Sequence, residues 1–222
     1  MNLLAISKFL SLTAGITSIG LLLAMGFFLH DVAGKLSEST KRLRKIVVLS
    51  ALVWAEATYL LIVATLADIL GTNFMDALDP TSLRSFISQI ALGKSMFIQL
   101  CLALLIAALV FRIKTVAGAN FLLFISIIAM VAPVFQSHSA SSGSHALAIG
   151  SLVVHVVAIS FWVGGLVGII FLNSVERIIA LPRFSALALW AAIAVSISGF
   201  ANALARLNFQ AAWSSDYAKF VI

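Results

Sequence analysis

ALAIGSLVVHVVAISFWVGGLVGIIFL, from Ala146 to Leu172, decides the fold, because this stretch contains no Asp, Glu, Lys or Arg. A helix of about 20 apolar residues is long enough to cross the hydrocarbon core of a bilayer. Similar apolar segments recur along the 222-residue chain, which is 62% hydrophobic and 10% charged. A soluble domain would carry about a quarter charged residues. The sequence therefore predicts an all-α fold, a polytopic transmembrane helix bundle.

We predict six complete spans and the start of a seventh. The six spans are Leu10–Leu29, Ile46–Leu66, Leu92–Phe111, Ala117–Phe135, Ala146–Leu172 and Phe184–Leu204. A further apolar run begins at Tyr217 and stops at Ile222. Because a helix cannot end inside a bilayer with unpaired backbone groups, we expect a single membrane domain over residues 1–222 that is incomplete at its C-terminus. Residues 79–87 and 207–215 are predicted to be ordered segments lying on the membrane surface.

Basic residues mark alternate loops of the predicted bundle. They occur after spans one, three and five, and the stretch between Phe135 and Leu172 has neither Lys nor Arg. Cytoplasmic loops carry the excess of Lys and Arg in membrane proteins. We therefore predict that the N-terminus and the loop between spans four and five face outward. The net charge of +6 then reflects topology and contact with lipid headgroups rather than nucleic-acid binding.

Two ionisable side chains are predicted to lie near the middle of the membrane. Glu56 and His155 each sit about 14–15 Å from the nearest edge of their spans, at the helical rise of about 1.5 Å per residue. Such residues mark ion pathways or carboxylates that orient a ligating histidine. We therefore expect Glu56 and His155 to be partners. The alternative is a neutral Glu56 bonded to a backbone carbonyl, to Trp54 or to Tyr59.

Three of the four histidines, His138, His145 and His155, fall close together in the sequence. His138 and His145 flank a small, flexible loop, so both imidazoles could meet at the outer end of the bundle and hold a metal ion; the alternative is that both are simply solvated. If residues 145 to 155 are all helical, His145 and His155 are about 15 Å apart along the axis. Either this helix starts later or breaks, or the histidines form successive sites.

Other side chains in the spans add to this hypothesis. Trp162 lies two helical turns after His155 and is predicted to share its face. Gly164 and Gly168 have the Gly-x-x-x-Gly spacing that permits close helix approach. Imidazole and thioether ligands suit copper, and the methionines that could supply sulfur are Met25, Met96 and Met130, although methionine is more often core filler. The single cysteine, Cys101, excludes an internal disulfide.

The motifs resemble the copper resistance protein D (CopD) family. The resemblance rests on the order of six motifs: Trp54-Ala-Glu56, Ser88-Gln-Ile-Ala-Leu-Gly93-Lys, His155-x6-Trp162-Val-Gly-Gly-Leu166, Phe184-Ser-Ala-Leu-Ala, Ser198-Gly-Phe-Ala-Asn202-Ala and Asp216-Tyr217-Ala-Lys219. It implies copper handling at the bacterial cytoplasmic membrane. It also implies an actinobacterial fusion in which a cytochrome oxidase assembly domain follows this one. The chain departs from the family at Tyr217-Ala218, where the family often has Tyr-Gly.

The resulting hypothesis is a non-enzymatic domain for copper transport or copper delivery. The resemblance matches His138, His145, His155 and Trp162 to recurring family positions. In this hypothesis the two outer histidines receive the ion, His155 takes it into the membrane, Glu56 balances its charge and Trp162 shapes the path. A periplasmic copper chaperone or the respiratory oxidase assembly machinery would be the partner.

Two alternatives stay open. The chain could be a membrane scaffold for oxidase assembly that presents its Gly164/Gly168 face to a partner. It could also be a haem b electron carrier, although bis-histidine haem needs two buried histidines and only His155 clearly qualifies.

Overall fold

The computed structural model describes residues 3–29, 34–36, 40–136 and 145–206. Within these ranges the chain is helical, and its one pairing of extended backbone is an isolated bridge between Lys35 and Thr115. The helices are α1 (Leu3–Leu23), α2 (Thr40–Leu70), α3 (Pro80–Gln89), α4 (Ala91–Leu109), α5 (Val116–Val131), α6 (His145–Ile170) and α7 (Ser174–Arg206). A π-helical turn, Ala24–Phe28, extends α1, and a 3-10 turn, Ala132–Gln136, extends α5.

Six of these helices are long and apolar enough to cross a membrane, namely α1, α2, α4, α5, α6 and α7. The predicted polytopic all-α bundle with six spans is confirmed. The seventh span predicted to begin at Tyr217, and the surface segment predicted over residues 207–215, lie outside the described residues.

The connection from α2 to α4 is built from local backbone hydrogen bonds. Gly71 ends α2 with a φ of 62°, and the amide of Thr72 donates to the Ala67 carbonyl at 3.0 Å, which is the usual glycine-dependent helix end. Asp79 then caps α3, because its Oδ2 accepts from the Ser82 amide at 2.8 Å. The same Ser82 hydrogen bonds lower the pKa of Asp79 below its ordinary value. The predicted ordered segment at residues 79–87 is thus a helix.

The last helix begins ten residues earlier than predicted. Asn173 Oδ1 accepts from the Glu176 amide at 2.9 Å, and Glu176 Oε2 accepts from the Asn173 amide at 3.1 Å. This reciprocal pair is a capping box, and it starts α7 at Ser174. The basic residues expected in the loop after span five are Arg177 and Arg183, and both lie within α7 instead, so this part of the loop prediction is wrong.

Both arginines hydrogen-bond the ends of other helices. Helix C-termini leave carbonyl groups without intrahelical partners. The Arg177 guanidinium donates to three such carbonyls at the end of α6, those of Ile169, Ile170 and Leu172. Arg183 Nη1 donates at 3.1 Å to the carbonyl of Phe27, at the end of the first span. The two arginines that served as topology signals in the sequence therefore also connect α7 to α6 and to the first span by hydrogen bonds.

Helix α1 is the central span, since it packs against α2, α5 and α6 and is the most buried of the six. Its crossing with α6 is very close. A Cβ added to Gly20 would overlap the Gly164 carbonyl group, and a Cβ added to Gly168 would overlap the carbonyl of Gly20. The prediction that Gly164 and Gly168 permit close helix approach is confirmed, and the partner helix is α1 of the same chain.

Candidate functional site

His155 lies on α6 and faces α7. The ring is partly buried, and its Nδ1 is 3.2 Å from the Ser198 hydroxyl oxygen. Gly199 lies beside the ring, and a Cβ at that position would be 3.6 Å from His155 Cε1. The imidazole therefore packs against residues 198 and 199 of α7.

The Ser198 hydroxyl is also hydrogen-bonded within its own helix, which favours one tautomer of His155. Its oxygen is 2.5 Å from the Ala194 carbonyl oxygen, to which it donates its single hydrogen. While its hydrogen is engaged there, the hydroxyl oxygen accepts from His155, and this contact is compatible with a proton on Nδ1 and a lone pair on Nε2. No partner for Nε2 is found among the described residues. Histidines that bind metals use this arrangement, in which one nitrogen donates to a neighbour and the other binds the ion.

Glu56 lies at the middle of α2 but on a different face of the bundle. Its side chain is exposed and lines a groove of about 450 Å³ between α2 and α4, together with Tyr59. Helix α1 packs against both α2 and α6. No hydrogen bond or ion pair between Glu56 and His155 forms in the described structure, so the predicted pairing is wrong.

The alternative of a hydrogen bond between Glu56 and Trp54 is not supported either. Trp54 is fully buried, and its indole Nε1 has no partner within the described ranges. The Glu56 carboxyl group also lacks a hydrogen-bond partner there. Glu56 thus lies near the middle of α2, and its side chain is exposed in the groove between α2 and α4.

The outer histidines can be placed only in part. His138 lies outside the described residues, as does the side chain of His145. The backbone of α6 is nevertheless continuous from His145 through His155. Ten residues of helix span about 15 Å, so the two rings cannot hold the same ion. The sequence left two possibilities, a late or broken helix and successive sites. The unbroken α6 is compatible with successive sites.

Trp162 is 41% exposed and lies on the surface of α6. Its indole therefore does not sit in the packed interior of the described bundle. Among the described residues, no group of three or more His, Cys, Asp or Glu side chains could hold a metal ion. Any metal site there must use fewer of these ligands, or sulfur and amide ligands as well.

A cavity of about 530 Å³ opens at the end of the bundle where α1 begins. We call it the outer cavity, since the charge pattern predicts that this end faces outward. Two thioethers, Met96 and Met130, lie in its wall, and each residue is 4% exposed. Its polar lining residues are Lys8, Ser11, Thr65, Gln99 and Gln136.

Gln99 is a residue of this lining that the sequence had not led us to expect at a site. It is 4% exposed, and its amide has no hydrogen-bond partner within the described part of the chain. The signal was present, because Gln99 is the only amide side chain in the predicted span Leu92–Phe111. A lone amide in an apolar span is costly unless it is paired or used.

Comparison with known families gives a match over most of the chain. Residues 2–147 match the copper resistance protein D-like N-terminal domain. The matched region contains Glu56, His138 and His145, whereas His155 and Trp162 follow it. No curated protein and no solved structure matches the chain. A six-span helical bundle that matches this domain from its first span to the start of α6 belongs to the copper resistance protein D-like family.

Proposed function

We propose that this chain transports copper across the bacterial cytoplasmic membrane, or delivers it within that membrane, as part of copper homeostasis and resistance. Family membership supports copper as the cargo. The observation that carries the proposal is the His155–Ser198 hydrogen bond, which engages Nδ1 of an imidazole in a predicted span and leaves Nε2 without a partner among the described residues. Imidazole is a good ligand for copper.

In this proposal the histidines act in sequence. His138 and His145 receive copper at the outer end, and the ion then passes to His155, about 15 Å deeper along α6. Glu56 contributes from another face of the bundle, because charges attract over long distances in a medium of low dielectric constant. Trp162, two helical turns after His155 and 41% exposed, shapes the path below it. A periplasmic copper chaperone would supply the ion, and the oxidase assembly machinery would receive it.

A scaffold for oxidase assembly would need a surface other than the one expected. The Gly164/Gly168 face is covered by α1 of the same chain, so it is not open to a partner. A haem b carrier needs a second buried histidine facing His155. Ser198 is the side chain that hydrogen-bonds this imidazole in the described structure, and the described spans offer no such histidine.

The test is to replace His155 by Ala in cells that depend on this protein, and to measure copper accumulation and growth on limiting copper. Val154→Ala is the matched control, since Val154 is the neighbouring residue on α6 and is 48% exposed. We expect His155→Ala to lower accumulation to the level of cells without the protein. Unchanged accumulation and growth with His155→Ala would remove this residue from the mechanism.

A further inference from the structure

We propose that the outer cavity is a binding site for a soft monovalent cation, Cu(I), with Met96 and Met130 supplying sulfur and Gln99 supplying its amide oxygen. This inference rests on the proposed copper function and adds a site and an oxidation state to it. All three side chains line one cavity, and each residue is 4% exposed.

The donor chemistry of the lining favours a cation. Thioethers are soft ligands and select Cu(I). The Gln99 amide lines the cavity without a hydrogen-bond partner among the described residues, so its oxygen is available to a ligand or to water. Thr65 donates its hydroxyl hydrogen to the Leu61 carbonyl at 2.7 Å, so its oxygen presents only lone pairs. The hydroxyl of Ser11 is likewise engaged, at 2.9 Å from that of Thr58.

The charges around the cavity favour a single positive charge. The cavity lining contains no carboxylate, and Lys8, at its outer end, is exposed and positively charged. The desolvation cost of an ion rises with the square of its charge, and neutral ligands offset that cost only in part. Repulsion by Lys8 also doubles for a divalent ion. A neutral sulfur and amide site next to a lysine therefore discriminates against Zn(II) and Cu(II).

The outer cavity is separate from the imidazole of His155. Leu152 and Val156 form the α6 part of the cavity wall, whereas His155 faces Ser198 on α7. Successive residues of a helix are turned by about 100°, which accounts for the two directions. The ion enters and leaves this cavity as Cu(I), so binding involves no electron transfer.

The experiment measures Cu(I) binding to the purified full chain in lipid nanodiscs, by competition with a chromogenic Cu(I) chelator under reducing conditions. All variants carry Cys101→Ser, because Cys101 is an exposed thiol that would itself bind Cu(I). Met96→Leu and Met130→Leu are compared with Met25→Leu, a methionine that is 1% exposed and lies in the core outside the cavity lining. We expect each cavity variant to bind at least about tenfold more weakly, and Met25→Leu to bind within about twofold of the parent.

A second measurement needs no substitution at the cavity. Ag(I), a closed-shell substitute for Cu(I), should protect Met96 and Met130 from peroxide oxidation. Met75 is 75% exposed and lies outside the cavity lining, so it should stay reactive. Mass spectrometry of the digested chain gives the extent of oxidation at each position.

Four results would overturn the inference: no Cu(I) binding by the parent, equal binding by all variants, equal weakening in Met25→Leu, or displacement of Cu(I) by equimolar Zn(II). Absence of Ag(I) protection at Met96 and Met130 would do the same. If these methionines prove irrelevant while His155→Ala still abolishes copper accumulation, the cavity site fails and the proposed function stands. If the cavity binds Cu(I) while His155→Ala has no effect, the cavity site stands and the proposed role of His155 fails.

Discussion

Ser198 hydrogen-bonds the imidazole of His155, and the importance of this bond can be tested by removing the hydroxyl. In Ser198→Ala the ring loses its hydrogen-bond partner at 3.2 Å, so its orientation is no longer fixed. Loss of such a supporting partner typically lowers metal affinity or activity by about 10–100-fold. We expect copper accumulation to fall within that range, less than with His155→Ala.

The control for this prediction is Ser196→Ala. Ser196 is exposed on the same helix and donates to its own Ala192 carbonyl at 2.9 Å, so its removal should leave accumulation unchanged. A Ser198→Ala variant as active as the parent protein would show that the hydrogen bond has no part in copper handling.

For single residues, the sequence predicted the position along a helix better than the direction in which the side chain points. Glu56 lies near the middle of α2 as expected, yet it faces a groove between α2 and α4. Helix α2 is apolar on all sides around this residue, so hydrophobic periodicity could not show which side is buried. The pairing of His155 with Ser198 depends on the rotation of two helices, which lie 43 residues apart at these positions. Sequence spacing does not give that rotation.

At the scale of helices, the crossing of α1 and α6 depends on the absence of a side chain at Gly20. In Gly20→Ala the new methyl group would overlap the Gly164 backbone, and backbone cannot move aside cheaply. Overpacking of this kind costs about 1–3 kcal/mol or more. We expect a clearly lower thermal midpoint for Gly20→Ala in detergent.

Gly150→Ala is the matched control, because nothing lies within 4 Å of a Cβ added there. Alanine is favoured over glycine within a helix by about 1 kcal/mol, so this variant should be as stable as the parent or slightly more stable. Equal thermal midpoints for the two alanine variants would contradict the close crossing.

The N-terminus of α3 is predicted to depend on pH through Asp79. Its carboxylate accepts from the Ser82 amide, and this hydrogen bond lowers its pKa below the ordinary 3.8. The stabilisation is therefore fully present above about pH 4 and is lost as the pH falls through the lowered value. Hydrogen exchange of the α3 amides at neutral pH should be faster in Asp79→Ala.

Asp79→Asn separates capping from charge, because asparagine is an equally good N-cap residue. Its α3 amides should stay protected and should show no loss of protection in acid. Exchange in Asp79→Ala as slow as in the parent and in Asp79→Asn would show that this cap does not stabilise α3.

The helix starts show which local signals were readable from the sequence. Asp79-Pro80 marked the start of α3, because an N-cap residue followed by proline at the first helical position is a strong signal. Asn173 and Glu176 have the spacing of a capping box, and they start α7 where a loop was expected. A loop was expected because Arg177 and Arg183 follow the fifth span, as basic residues do in cytoplasmic connections. Pro182 in fact lies within the helix.

At the scale of the whole molecule, hydropathy was sufficient to predict six spans, because each must be long and apolar to cross a bilayer. The outer cavity could not be predicted, since its wall combines residues from five helices, α1, α2, α4, α5 and α6, together with the 3-10 turn after α5. Which residues meet there depends on helix packing. The outward orientation of the N-terminus stays a prediction from the distribution of Lys and Arg.

The central claim is that copper crosses this bundle by way of His155. The most direct measurement is copper entry into liposomes that contain the purified full chain in both orientations, so that the direction of transport does not affect the result. We predict that wild-type vesicles take up copper faster than empty vesicles, that Val154→Ala behaves like wild type, and that His155→Ala reduces uptake to the empty-vesicle rate. Uptake by wild-type vesicles no faster than by empty ones, or uptake by His155→Ala equal to wild type, would contradict the claim.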